Sequence, residues 1–366
     1  MASQKRTPDY SLLLLIIALL IIGMIMVYSA SAAWAEYRFE DSSFFLKRQL
    51  FFAVLGLVAM IFIMNIDYWT WKSLAKIMII ICFLLLIIVL IPGVGLVRGG
   101  AQSWLGIGAF SIQPSEFMKM AMIIFLAKFL SENQKHITSF KSGLLPSLSI
   151  VMVAFGMIML QPDLGTGAVM VGTCVVMIFV VGARVSHFVL LGLIGLAGFV
   201  GLIASAPYRI KRITSFLDPW EDPLGSGFQI IQSLYAIGPG GLMGMGLGES
   251  RQKYFYLPEP QTDFIFAILA EELGFIGGAI VIILFAFIFW RGIRIALGAQ
   301  DLFGSLLAIG IIAMLAIQVM INIGVVTGLI PVTGITLPLL SYGGSSLTLM
   351  LVSLGVLLNI SKHSRI

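Results

Sequence analysis

One carboxylate stands just ahead of a long apolar run, in Leu257-Pro258-Glu259-Pro260-Gln261-Thr262-Asp263-Phe264. At a water–lipid boundary, partial desolvation would raise the pKa of Asp263 toward that of a useful general base. Glu259 supplies a second carboxylate beside it. The plainer reading is that Thr262 or Asp263 caps the next helix, the two prolines stiffening its start. Upstream, Gly238 to Gly248 holds six glycines in eleven residues. Arg209, Lys211 and Arg212 precede this stretch, and Arg251 and Lys253 follow it. Freed backbone amides and five cations suit the pyrophosphate of a lipid-linked substrate. The same cations would also suit anionic lipid headgroups.

Ionisable groups within apolar runs are costly and each is a functional hypothesis. Glu116 and Lys119, three apart, share a helix face; an ion pair that lets both be buried and a substrate-facing role stand level. Asp163, in Gln161-Pro162-Asp163-Leu164-Gly165-Thr166, reads first as a helix N-cap after a proline break. Glu271 and Glu272 are adjacent on a helix, so they point in different directions and structural pairing is their expected role. Gly192, Gly195, Gly198 and Gly201, and the pair Gly274 and Gly278, read as close helix packing. His136, His187 and His363 show no ligand spacing, and Cys82 and Cys174 build neither a disulfide framework nor a metal site. No phosphate-binding P-loop pattern occurs, which argues against an ATP-driven pump.

These residues must be held by membrane helices. Apolar residues make up 59% of the 366-residue chain and charged residues 11%, and the mean hydropathy is +1.06. A soluble fold carries about a quarter charged residues. The net charge of +5 is small and dispersed, so nucleic acid is not an expected partner. Runs long enough to cross a bilayer fall near 11–33, 49–66, 75–92, 115–131, 144–161, 166–182, 187–206, 263–290, 303–329 and 345–360. The expectation is an all-α polytopic membrane protein of about ten transmembrane helices. The first run, though it ends in a cleavage-like Ser29-Ala30-Ser31-Ala32-Ala33 tail, is long enough to span and reads as an uncleaved helix.

Of the 22 Lys and Arg, twelve fall on one side, nine on the other and Lys119 within a run. Five of the nine lie in one long loop, and long loops report orientation poorly. The remaining bias places both termini in the cytoplasm and the loop 207–262, between the seventh and eighth helices, outside. Within it, Phe228, Ile231, Leu234 and Tyr235 recur at helical spacing, predicting an amphipathic surface helix over 227–237 that Gly238-Pro239-Gly240-Gly241 would stop.

Taken together, the motifs resemble the SEDS family (shape, elongation, division and sporulation), which polymerises peptidoglycan. The resemblance covers essentially all of 1–366 as one integral-membrane domain, and within the family it leans to the sporulation branch. It is carried by Ile112-Gln113-Pro114-Ser115-Glu116 with Lys119, Gln161-Pro162-Asp163-Leu164-Gly165-Thr166, Tyr208-Arg209-Ile210-Lys211-Arg212, Asp218-Pro219-Trp220 and Gly225-Ser226-Gly227-Phe228-Gln229 with Gln232-Ser233. Leu257-Pro258-Glu259, Thr262-Asp263-Phe264-Ile265-Phe266 and Pro338-Leu339-Leu340-Ser341-Tyr342-Gly343-Gly344-Ser345 complete it. One departure stands out: Gly100-Ala101-Gln102-Ser103-Trp104 lacks the arginine the family commonly carries before the tryptophan, so Arg98 would have to substitute.

The resemblance implies a glycosyltransferase at the outer leaflet that joins lipid II units into β-1,4 glycan, in the setting of spore cortex synthesis. Asp263 would be the base that deprotonates the acceptor 4-hydroxyl as the donor's anomeric carbon inverts. Substrate contacts would come from Arg98, Glu116, Lys119, Asp163, Arg209, Lys211, Arg212, Arg251, Lys253, Glu259 and Ser341. Cations or a divalent cation would stabilise the leaving pyrophosphate; no other cofactor is implied. The implied partner is a class B penicillin-binding protein, its single anchor packing on the eighth and ninth helices near Gly274 and Gly278. A lipid II flippase and a scaffold that recruits the transpeptidase are the alternatives.

Overall fold

The computed structural model describes residues 7–98, 101–107, 110–204, 216–225 and 227–365. Helices α1 (Tyr10–Phe39), α2 (Phe44–Met64) and α3 (Trp69–Leu90) lead into strands β1 (Leu96–Arg98), β2 (Ala101–Ile107) and β3 (Phe110–Ile112). Then follow α4 (Pro114–Glu132), α5 (Leu145–Met159), α6 (Leu164–Val180), α7 (Val185–Ala204), α8 (Phe228–Gly240), α9 (Ile265–Gly298), α10 (Leu302–Val326) and α11 (Gly344–His363). Among the described residues, α1, α2, α3, α9, α10 and α11 are long and apolar enough to cross a membrane. A helix overlies each of the ten apolar runs. The fifth and sixth runs form separate helices, broken at residues 160–163.

Local chemistry sets the helix starts. Asp9, Asp163 and Asp301 cap α1, α6 and α10 by accepting from the amides of Leu12, Thr166 and Gly304. Pro114 opens α4, where its missing N–H is no loss. Large apolar side chains such as Phe62, Ile80 and Phe287 are exposed around the outside, the surface that lipid would cover. The interior is built from α4, α10, α11 and the first half of α9. Asp9 N–H donates to Ser361 Oγ at 3.0 Å and Arg291 pairs with the Asp9 carboxylate, so the start of α1 and the end of α11 lie at one end of the bundle.

Three features depart from expectation. The chain is not purely helical: β1, β2 and β3 form a small antiparallel sheet pairing Arg98 with Ala101 and Leu105 with Ile112. Gln102 Nε2 from this sheet donates to the Val89 carbonyl in the last turn of α3 and to the Ile91 carbonyl just past its end. Among the described residues the glycine face of α7 packs on nothing; a Cβ at Gly192, Gly195, Gly198 or Gly201 would meet none of their atoms within 4 Å. The helix in the long loop runs one turn past its expected stop, through Pro239, and buries Ile230, Ile231, Ser233 and Ala236 while Leu234 and Tyr235 stay exposed. Ser233 Oγ ties it to the Val326 carbonyl at the end of α10.

Candidate functional site: the mouth of helix α9

Helix α9 is not continuous. Gly274 sits at φ 66° and ψ −165°, a conformation open to glycine and little else, and the break frees backbone groups on both sides. The glycine-rich turn after α8 satisfies them. Phe275 and Ile276 N–H donate to the Gly241 and Leu242 carbonyls, and the Glu271 and Glu272 carbonyls accept from Met245 and Gly246. Interrupted helices survive in membranes where neighbouring groups re-satisfy the freed backbone. The amides of Gly244, Met245 and Gly246 are therefore engaged in the fold rather than free to cradle phosphate. Gly274 packs against this turn and Gly278 lies 3.4 Å, as a Cβ, from Phe266 Cζ, so both glycines serve the protein's own interior.

The two glutamates before the break converge on one segment, contrary to the expectation from adjacency, because residues 248–253 wrap around the helix. Glu271, 1% exposed, accepts from Ser250 Oγ at 2.5 Å and from Arg251 N–H at 2.9 Å. Glu272, fully buried, accepts from Ser29 Oγ at 2.6 and 2.7 Å and pairs with Lys253 Nζ at 3.1 Å. Lys253 Nζ also donates to Ser29 Oγ and the Gly248 carbonyl. Lys253 is thus a buried counter-ion, its charge already matched. Arg251 keeps an exposed side chain. Arg209, Lys211 and Arg212 lie outside the described residues.

Asp263 precedes α9 without capping it. Phe264 occupies the cap position and no side chain makes a cap bond. The Asp263 side chain is half-buried. Burial, then the nearby Glu259 charge, pushes its carboxyl up to about 6. Its backbone is held firmly: Asn322 Nδ2 donates to the Asp263 carbonyl at 2.7 Å, and Ser341 Oγ donates to the Thr262 carbonyl at 2.6 Å while accepting from Leu337 N–H at 2.8 Å. Tyr342 N–H donates to the Gln261 carbonyl at 2.8 Å. Ser341 is 5% exposed, a buried staple of the segment between α10 and α11. Glu259 is exposed, and the Thr262 hydroxyl donates to its carbonyl at 2.9 Å.

Three further sequence candidates, Glu116, Lys119 and Asp163, lie at the N-terminal ends of α4 and α6. Lys119 Nζ pairs with Glu116 Oε1 at 2.7 Å and the lysine is 2% exposed, the geometry of the ion-pair reading. Asp163 caps α6 and also accepts from Gln113 Nε2 at 2.8 Å and Ser115 Oγ at 3.3 Å. The neighbouring Gln161 is fully buried, and neither amide atom has a partner among the described residues. Arg98 ends β1, opposite Ala101. Gly165 at the start of α6 abuts the Thr333 carbonyl, so the segment 329–343 links this cluster to Asp263. Among the described residues no three His, Cys, Asp or Glu side chains gather as a metal site; a divalent cation would have to be held mainly by phosphate oxygens and water. Sequence reasoning passed over Ser29 and Asn322, which lie in apolar runs and acquire meaning only from partners far along the chain.

A cell cycle protein family model matches residues 10–366. The chain is 73% identical over 365 residues to stage V sporulation protein E of Bacillus subtilis (strain 168), covering 100% of both chains. It is 44% identical to the probable peptidoglycan glycosyltransferase FtsW of Geobacter sp. (strain M18), covering 99% of each. Among solved structures it matches a chain from a peptidoglycan synthase complex that coordinates polymerization and crosslinking, with TM-score 0.80, 34% identity and 97% of both chains covered. It also matches the rod shape determining protein RodA of Thermus thermophilus, with TM-score 0.72, 30% identity, and 97% of this chain and 96% of that one covered. With a family match over nearly its whole length and six long apolar helices among the described residues, the chain is a multi-pass membrane protein and belongs to the SEDS family of FtsW, RodA and stage V sporulation protein E.

Proposed function

We propose that this protein is an inverting peptidoglycan glycosyltransferase that polymerises lipid II at the outer face of the membrane, in spore cortex synthesis. The observation that carries the reading is Asp263: a half-buried carboxylate, not used as a helix cap, whose pKa is pushed up to about 6. A base near neutrality can accept the acceptor's 4-hydroxyl proton as the new glycosidic bond forms and the pyrophosphate leaves. A polyprenyl donor accounts for a catalytic carboxylate carried on a membrane bundle. Ten helices span, both termini are cytoplasmic, and the 207–262 loop faces outward in this reading.

Arg251 is the described cation with an exposed side chain near the mouth and is assigned to the pyrophosphate, together with Arg209, Lys211, Arg212 and Arg98. Glu116, Lys119, Asp163 and Ser341 shape the site from behind. The partner is a class B penicillin-binding protein. Its anchor packs on the exposed apolar side of α9, along Ile276, Ile280, Ile283 and Phe287, and on α10, rather than through Gly274 and Gly278. Purified full-length protein with its partner and labelled lipid II should yield a polymer ladder. Transfer of lipid II across liposome leaflets without polymer would identify a flippase instead, and neither result would leave a scaffold.

A further inference from the structure

Asn322 sits on α10 with no exposed surface. Its Nδ2 donates to two backbone carbonyls at once, Asp263 at 2.7 Å and Ile335 at 2.8 Å. An amide nitrogen carries two hydrogens, and both are used. Two carbonyl acceptors also fix which end of the amide faces them, since the reverse setting would place oxygen against oxygen. The other end, Oδ1, is buried without a partner among the described residues, which makes Asn322 a poor choice for stability alone.

The bond to Ile335 matters because of its neighbour. Gly334 has φ +75°, and an added Cβ there would lie 3.7 Å from Asp263 Oδ2. The amide of Asn322 thus holds the Asp263 backbone and, through Ile335, the wall against which the carboxylate lies. The groups packed around it bring little other charge. α10 and the segment 329–343 contain no ionisable acid or base except Tyr342, Glu259 is the charged neighbour whose field reaches Asp263, and Glu271 and Glu272 are engaged by Ser250, Lys253 and Ser29.

We propose that Asn322 is a positioning residue for the polymerisation reaction: its doubly donating amide clamps Asp263 against the Gly334–Ile335 wall and so sets the place and the dryness of the catalytic carboxylate. Asn322 does not touch substrate in this role. The inference rests on the reading of Asp263 as the base.

The test uses the full-length protein with its partner and labelled lipid II, comparing Asn322→Leu, which removes both donors at similar size, Asn322→Ser, which keeps one, and Asn322→Gln, which keeps the amide. Asn322→Leu should lower kcat about 10- to 100-fold, the scale of a misplacement near 1 Å, with KM for lipid II unchanged. The acidic limb of its pH profile should move down from about 6, as the loosened carboxylate gains water. Asn322→Ser should fall between Leu and the parent, and Asn322→Gln should recover part of kcat. A purely structural residue would lower yield or melting temperature but leave kcat per folded molecule and the acidic limb in place, and that result would overturn the inference. Asp263→Asn is assayed alongside. If it is inactive while Asn322→Leu keeps the parent kcat and limb, the positioning role alone is wrong. If Asp263→Asn stays active, the base assignment fails and the inference falls with it.

Discussion

Removing the ammonium of Lys253 should destabilise the fold around the glutamates of α9 rather than weaken the protein's hold on substrate. Lys253 Nζ lies 3.1 Å from Glu272 Oε1, with the two side chains 6% and 0% exposed. In Lys253→Met the Glu272 carboxylate would stay buried with the Ser29 hydroxyl, at 2.6 and 2.7 Å, as its main remaining donor. Breaking one side of a buried pair costs about 3–5 kcal/mol, whereas replacing both partners by neutral groups of similar volume is often close to neutral. The double variant Lys253→Met/Glu272→Gln should therefore be more stable than Lys253→Met alone, with a coupling of at least about 1–2 kcal/mol in a double-mutant cycle. The assay is thermal unfolding of the detergent-solubilised protein, run beside lipid II affinity on the fraction that remains folded. Loss of affinity at an unchanged melting temperature would refute the reasoning, because the ammonium would then be facing pyrophosphate and not Glu272.

Other consequences follow from the same geometry. Asp263 must be deprotonated to act, and burial and Glu259 raise its pKa to about 6; polymerisation should therefore fall on the acid side near pH 6. Glu259→Gln should shift that limb to lower pH, and a parent limb near pH 4 would contradict the assignment. Gly274→Ala places a Cβ 2.6 Å from the Leu242 carbonyl at positive φ and should cost at least about 1–3 kcal/mol, seen as a lower melting temperature, while Gly278→Ala should be much milder. Ile283→Ala with Phe287→Ala should weaken co-purification of the transpeptidase partner without loss of membrane level; the same changes at Ile61 and Phe62 on α2 should not.

What could be read from the sequence was whatever local chemistry determines. Helix positions followed apolar run length, Asp163 was legible as a cap beside a proline break, and Glu116 with Lys119 as a pair three residues apart. The mouth of α9 was recognisable from a carboxylate placed before an apolar run. Non-local facts were not legible. The break at Gly274 exists because the turn 241–246, about thirty residues earlier, lies alongside to receive its open backbone groups; within the sequence, Gly274 and Gly278 look like any packing pair. Glu271 and Glu272 share a target only because residues 248–253 wrap around the helix end. Asn322 in an apolar helix carries no sign of the two carbonyls it joins. Strands of three to seven residues are too short for an alternating pattern to stand out in a loop.

The central claim is that Asp263 accepts the proton during glycan polymerisation. Asp263→Asn keeps the side-chain size, removes no helix cap, and cannot take up a proton at neutral pH. It also relieves a carboxylate whose charged form is disfavoured by burial, so the variant should be at least as stable as the parent. The decisive measurement is lipid II polymerisation by the purified partner complex, with a transpeptidase that has no glycosyltransferase of its own. Polymer formation should drop about 100- to 10,000-fold, the usual contribution of a general base, while melting temperature, partner binding and lipid II binding hold. Near-parent polymerisation by Asp263→Asn would contradict the account and move the base to Glu259.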